Sequence, residues 1–182
     1  MFTHPGFDPI AFSIGPLAVR WYGLMYLFAF LAGGLLATYR ARQPNSGWKT
    51  DEVSDLVFYA ALGVILGGRI GYALFYNFAY YIEKPIEILY VWTGGMSFHG
   101  GLIGVIIAMA LYARKTERSF LQVSDFVAPL IGIGIAAVRF SNFINQELWG
   151  RITDLPIGMV FSMAGPEPRH PSQLYEMFFE GL

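Results

Sequence analysis

The chain has 182 residues, of which 55% are hydrophobic and 17% aromatic but only 14% charged, with a formal net charge of −1; an ordinary soluble domain carries roughly 25% charged residues. Intrinsic disorder is excluded, since it needs low hydrophobicity and high charge, and there is no basic surplus of the kind that nucleic-acid binding requires. Cysteine is absent, which rules out a disulfide frame, a thiolate metal or iron–sulfur site and a cysteine nucleophile of the protein's own.

The charges cluster and leave gaps of bilayer length. Trp21 to Tyr39 is free of Asp, Glu, Lys and Arg over 19 residues and Ile88 to Ala113 over 26, against about 20 needed for a helix to cross the hydrocarbon. The expected fold is an all-α, polytopic integral membrane helix bundle, forming one transmembrane domain over 1–182. The first 17 residues contain Pro5, Pro9 and Pro16 and no Lys or Arg, so they lack the basic start and continuous apolar core of a cleavable signal peptide. A first span is expected over about 18–39, closed by Arg40 and Arg42, and a second over about 56–76, interrupted by Arg69. Residues 77–95 are aromatic but broken by Pro85, Gly94 and Gly95, which suggests a re-entrant or interfacial segment. A third span follows over about 96–112, ended by Arg114, Lys115 and Arg118, and a fourth over about 126–143. Residues 148–170, rich in Pro and Gly, read as a small extracytoplasmic excursion, and from about 173 something helical begins again.

Lys and Arg concentrate after the first span (Arg40, Arg42, Lys49) and after the third (Arg114, Lys115, Arg118), and the amino terminus has none. By the positive-inside rule both basic loops face the cytoplasm, and the amino terminus and the 148–170 excursion lie outside. Small residues recur every four positions as Gly63/Gly67/Gly71, Gly100/Gly104 and Ala128/Gly132/Ala136, ridges of the kind that let helices approach closely in lipid. They are read as packing and assigned no chemistry.

Ionisable groups inside apolar spans carry the functional information, because each is costly unless it faces a partner or a wet cavity. The candidates are Arg69, His99, Asp125, Arg139 and Glu147. For Arg69 and Asp125 an ion pair that merely fixes packing is as good a reading as a functional one. The segment VRFSNFINQELWGR is denser, with Arg139, Asn142, Asn145, Gln146, Glu147 and Arg151 at the end of an apolar stretch. At 100° per residue Arg139, Asn142 and Gln146 share a face while Asn145 and Glu147 point apart. Either the helix ends there or protein surrounds it about a polar cavity. A guanidinium beside amides suits the phosphate of a lipid headgroup. His99 falls at the outer end of the third span, the same level as Arg139 to Glu147. It is either a structural histidine or a proton acceptor. Tyr22 reads on composition as an aromatic-belt residue. No metal-ligand spacing is present, and no cofactor is implied.

The stretches FDPIAFSIGPLAVRWYGLMYL, GGRIGYALFYN, GGMSFHGGLIG, SFLQVSDFVAPL, NFINQELWGR and RHPSQLYE, in this order along essentially the whole chain, resemble the prolipoprotein diacylglyceryl transferases of bacterial inner membranes. The resemblance implies transfer of the diacylglyceryl group of phosphatidylglycerol to the lipobox cysteine thiol of prolipoproteins, with release of glycerol phosphate. It implies a multi-pass inner-membrane protein whose active site faces the periplasm, with membrane lipid and a prolipoprotein signal peptide as partners and no nucleic acid. The family's important residues map to Tyr22, His99, Arg139, Asn142, Glu147 and Gly150. On this reading His99, Arg139 and Tyr22 are catalytic, and Arg139, Asn142, Glu147 and Gly150 bind substrate. Val138 and Ser141 stand where the family usually has Gly and Gly or Ala. The family continues past the position of Leu182 and carries another functional arginine there, so the expectation is a carboxyl-terminally truncated member. The alternatives are an inactive truncated homologue that binds phosphatidylglycerol and, in another class, a membrane transporter, although no internal repeat supports the latter.

Overall fold

The computed structural model describes residues 1–181. The chain is mostly helical, and three of its helices are long and apolar enough to cross a membrane: α1 (Trp21–Ala41), α2 (Thr50–Phe75) and α5 (Phe120–Ile144). The remaining helices are α3 (Phe78–Glu83), α4 (Phe98–Lys115) and α6 (Ser172–Phe179), and short strands β1 (Phe2–Thr3), β2 (Ile10–Ile14), β3 (Leu17–Arg20), β4 (Met159–Val160) and β5 (Pro168–Arg169) complete the elements used below. The long helices begin where polar side chains can cap them. Lys49 donates its backbone N–H to Glu52 Oε2 at 2.7 Å ahead of α2. Ser97 Oγ accepts from Gly100 N at the start of α4. Ser119 and Gln122 exchange bonds across the first turn of α5, the reciprocal pattern that satisfies otherwise orphan donors. Arg114 and Lys115 in the last turn of α4 complement its dipole.

Two compact units divide the chain, one made of Met1–Leu36 with the stretch from Ala128 onward, the other of Ala37–Val127. In the second unit α2 and α4 cross on their glycine ridges. A Cβ at Gly63 would lie 2.6 Å from the Gly104 carbonyl oxygen and one at Gly71 2.6 Å from Gly100 Cα, so backbone meets backbone and any side chain would force the helices apart. Between these helices residues 77–95 form no long helix: α3 is followed by two 3₁₀ turns, Pro85–Leu89 and Val91–Thr93. One side chain organises them. Arg69, only 3% exposed, donates to the carbonyls of Glu87, Ile88, Tyr90, Gly94 and Gly95 and to Thr93 Oγ1. At the other end of these helices Arg118 forms a two-pronged ion pair with Glu52 at 2.9 and 3.0 Å, lies 4.2 Å above the Trp48 ring, and Trp48 stacks on Phe126.

In the first unit β2 and β3 form an antiparallel hairpin that leads into α1, and β1 pairs in parallel with β4, which pairs in turn with β5. The strand pairing brings His4 against an aromatic wall: its ring centroid is 4.7 Å from Phe143, 5.5 Å from Phe161 and 5.6 Å from Phe7. The end of α6 packs on α5 through small residues, with Gly181 against the Ala136 backbone and Gly132 against Gly181 O. That close approach sets the two helices side by side and positions the residues considered next.

Candidate functional site

The polar stretch after Val138 is accommodated because α5 ends at Ile144. Its last turn closes through Asn145 N to Ser141 O, Gln146 N to Phe143 O and Glu147 N to Asn142 O, and Gln146 and Leu148 take left-handed backbone with φ of 53° each. The chain thus turns sharply, and Asn145 and Glu147 need not share a helix face with Arg139. On the last two turns of α5, Arg139 and Asn142 do share one, three residues apart.

Arg139 Nε lies 2.5 Å from Glu176 Oε2, an ion pair between α5 and α6 in which both side chains are about 30% exposed (29% and 31%). Asn142 is buried and donates from Nδ2 to Glu147 Oε2 at 3.2 Å. From α6, Gln173 is fully buried and donates from Nε2 to the backbone carbonyl of Glu147. Glu147 therefore anchors two amides at once, through its carboxylate and through its main chain. Among the described residues the carbonyl oxygens of both amides, Asn142 Oδ1 and Gln173 Oε1, are buried without a hydrogen-bond partner, as are Asn145 Oδ1 and Ser141 Oγ. Ser141 thus adds a buried hydroxyl with no partner among the described residues.

Gly150 fixes the exit from this region. Its N–H donates to His170 O at 2.9 Å, and a Cβ there would sit 2.9 Å from both His170 Cβ and His170 O, so no side chain fits. Tyr22, half-buried in the first turn of α1, packs obliquely on Tyr26, with ring centroids 5.3 Å apart. An apolar cavity of about 320 Å³, at the lower end of the range for small-ligand sites, is lined by Met25, Phe28, Ala136, Ala137, Phe140 and Met177, of which Phe140 and Met177 follow Arg139 and Glu176 in sequence. The first unit thus holds Tyr22, Arg139, Asn142, Glu147 and Gly150, together with an apolar cavity lined in part by the residues that follow Arg139 and Glu176 in sequence. Glu176 and Gln173 were not singled out by sequence. Both lie in the RHPSQLYE stretch, and their three-residue spacing, which puts a carboxylate and an amide on one helix face, was the available signal.

His99 belongs to the other unit. It is the second residue of α4, exposed, with its ring edge-on to Phe98 at 5.6 Å. Arg69 serves the backbone of 87–95, as described, and Asp125 is exposed at the rim of a cavity of about 450 Å³ with Arg40, Trp48 and Arg118. That cavity is larger, but its arginines are engaged, Arg118 with Glu52 and Arg40 with the Phe126 carbonyl and ring. Among the described residues no group of three or more His, Asp and Glu side chains could hold a metal ion.

Long apolar helices, and a cation, carboxylates and amides collected where one of them ends, define a membrane protein with an embedded polar site. The chain belongs to the prolipoprotein diacylglyceryl transferase family, whose model matches residues 9–182. It is 61% identical over 178 residues to the phosphatidylglycerol–prolipoprotein diacylglyceryl transferase of Aliivibrio salmonicida, covering 98% of this chain and 63% of that protein. It is 63% identical over 175 residues to the protein of the same name from Aeromonas salmonicida, covering 96% and 64%, and 58% identical over 180 residues to that of Photobacterium profundum, covering 99% and 68%. The chain thus spans less than two thirds of the length of the first two relatives.

Proposed function

We propose that the protein transfers the diacylglyceryl group of phosphatidylglycerol to the lipobox cysteine thiol of prolipoproteins, the first step of bacterial lipoprotein maturation, in the inner membrane with its active site towards the periplasm. The observation that carries this is Arg139: a half-buried guanidinium on a helix whose next residue, Phe140, lines an apolar cavity and whose next turn carries the buried amide of Asn142 offers the complement of a phospholipid, whose phosphate adjoins its acyl chains. The names of the relatives supply the reaction, and the excess of Lys and Arg in the two loops after α1 and α4 supports the orientation.

In the step proposed, the substrate sulfur attacks the glyceryl carbon that carries the phosphate. A carbon–sulfur bond forms, the carbon–oxygen bond to the phosphate breaks, and the oxygen keeps the electron pair and leaves as glycerol phosphate. The resemblance gives His99 the role of taking the thiol proton, its side chain being the type that exchanges protons near neutral pH. Arg139 holds the phosphodiester, which competes with Glu176 for the guanidinium, and stabilises the charge as it departs. Asn142 and Glu147 brace that clamp, Gly150 keeps the loop in register, and Tyr22 donates its hydroxyl to the headgroup or the incoming peptide. The protein contains no thiol, so none competes with that of the substrate.

The test is transfer of radiolabelled diacylglycerol to a lipobox peptide in phosphatidylglycerol vesicles carrying the protein. Label should appear as a thioether on the peptide, Arg139→Gln should lower the rate about 100-fold or more, the range for losing one preorganised charge-stabilising donor, and His99→Gln should abolish the benefit of a base. Absence of transfer above protein-free vesicles would overturn the reading, and an Arg139→Gln rate equal to wild type would remove the clamp from it.

A further inference from the structure

Two buried amides in the candidate site are oriented without ambiguity. Each spends its nitrogen on Glu147, Asn142 Nδ2 on the carboxylate and Gln173 Nε2 on the main-chain carbonyl. Since both partners are acceptors, neither amide can be reversed, and each carbonyl oxygen is the free end. Both oxygens are buried with no donor among the described residues, although Asn142 is 4% exposed and Gln173 0%. A lone acceptor shut away from water is unfavourable and native proteins rarely tolerate one, let alone two in one cluster.

The two amides stand in a defined relation to the charge. Asn142 follows Arg139 by three residues on α5 and Glu176 follows Gln173 by three on α6, so on each helix the two residues share a face about 4.5 Å apart along the axis. The helix faces meet at the Arg139–Glu176 pair. The cluster therefore presents one cation for a phosphate and, a turn away, acceptors that require donors. A phosphodiester bearing a polyol has that pattern, whereas an ester of a simple alcohol offers the phosphate alone.

Resting on the reading of Arg139 as the phosphate clamp, we propose that Gln173 and Asn142 select the headgroup by accepting hydrogen bonds from the glycerol hydroxyls of an anionic phospholipid. Glu147 is the positioning residue that turns both oxygens towards the ligand. The Arg139–Glu176 pair closes this face of the two helices, and a phosphodiester competing for the guanidinium opens it to the headgroup. Selection thus comes from unmet acceptors, which penalise a ligand lacking hydroxyls more than they reward one that has them.

The experiment compares binding of lipids with equal charge and equal headgroup carbon count to the full chain in nanodiscs: phosphatidylglycerol with two hydroxyls, the phosphatidyl ester of 1,3-propanediol with one, and that of propanol with none. Unmutated protein should bind phosphatidylglycerol about tenfold more tightly than the propanol ester, with the diol ester between, at roughly a factor of three to five per hydrogen bond. Gln173→Met, of similar length but without an acceptor, should narrow the ratio to about threefold. Arg139→Gln should weaken all three lipids while preserving their order. Equal affinities for the three lipids in unmutated protein would overturn the proposal while leaving the phosphate clamp standing, and this outcome needs no variant to fold. A tenfold ratio retained by well-folded Gln173→Met would equally overturn it, and failure of all three lipids to bind would overturn both the proposal and the clamp.

Discussion

Replacing Arg69 by Met should release the 85–97 segment while leaving the helices that flank it in place. The side chain is 3% exposed and donates to five carbonyls and one hydroxyl, all within residues 87–95. At about 1.5–3 kcal/mol for each hydrogen bond to a charged group, six would rival the entire stability of a domain, about 5–15 kcal/mol. The loss is smaller, because carbonyls freed by the substitution regain water as the segment opens. What disappears is local protection, which we set at about 3 kcal/mol, the worth of one to two such bonds after rehydration, or roughly a hundredfold in opening equilibrium. The amides of Glu87, Tyr90 and Thr93 bond only to Lys84, Glu87 and Tyr90 within the same segment, so they report its opening directly. Hydrogen exchange in detergent should show those amides at least about a hundredfold faster in Arg69→Met, with the α2 and α4 amides near wild type. Exchange over 85–97 unchanged from wild type would refute the idea that one guanidinium holds the segment.

Gly71→Ala should lower the Tm by several degrees, since its Cβ would lie 2.6 Å from Gly100 backbone and overpacking costs about 1–3 kcal/mol; Gly23→Ala, with open space around it, is the control, and equal melting of the two variants would contradict the crossing. Burial holds the His4 imidazole below its ordinary pKa of 6.5, with the Phe143 main chain opposing in part, so unfolding takes up protons in mildly acidic solution. Its contribution is therefore intact above about pH 6.5 and is lost as pH falls through the lower folded value, and the Tm of wild type should fall faster than that of His4→Phe between pH 7 and 5; parallel curves would remove His4 from the pH response.

Hydropathy exposed α1 and the middle of α5 because charges bound each apolar run on both sides, Arg20 and Arg40 for the one, Asp125 and Arg139 for the other. It marked the end of α4 equally well, since Arg114 and Lys115 sit in its last turn. The start of α2 at Thr50 lies several residues before the apolar run, because Asp51, Glu52 and Asp55 belong to the helix without belonging to its apolar part; a span and a helix are different quantities. Strands of two residues such as β1, β4 and β5 are too short for alternation to register. The dense polar run from Arg139 to Glu147 was visible, and its geometric conflict was resolved by the helix ending at Ile144. What no pattern could supply was pairing across the chain: that Glu176 would meet Arg139, or that Gln173 would reach the carbonyl of Glu147. Those contacts depend on Gly181 and Gly132 letting α6 lie against α5, a tertiary fact rather than a local one.

The cluster around Arg69 resembles an ion in a carrier more than a salt bridge: the cation is solvated by main-chain oxygens, with the Thr93 hydroxyl and the face of the Tyr81 ring, 5.3 Å away, as its side-chain neighbours among the described residues. A loop held this way is indifferent to most of its own side chains. Gly95 is the exception, with φ of 78° and a Cβ that would strike the Tyr72 ring. The side chains of Leu89, Tyr90, Val91 and Trp92 are all exposed and take no hydrogen bond from Arg69, which leaves their identities free to be chosen by whatever surrounds the protein, lipid above all. Folding is delegated to one residue on a neighbouring helix, and the segment's surface is left to adapt to the bilayer in which it sits.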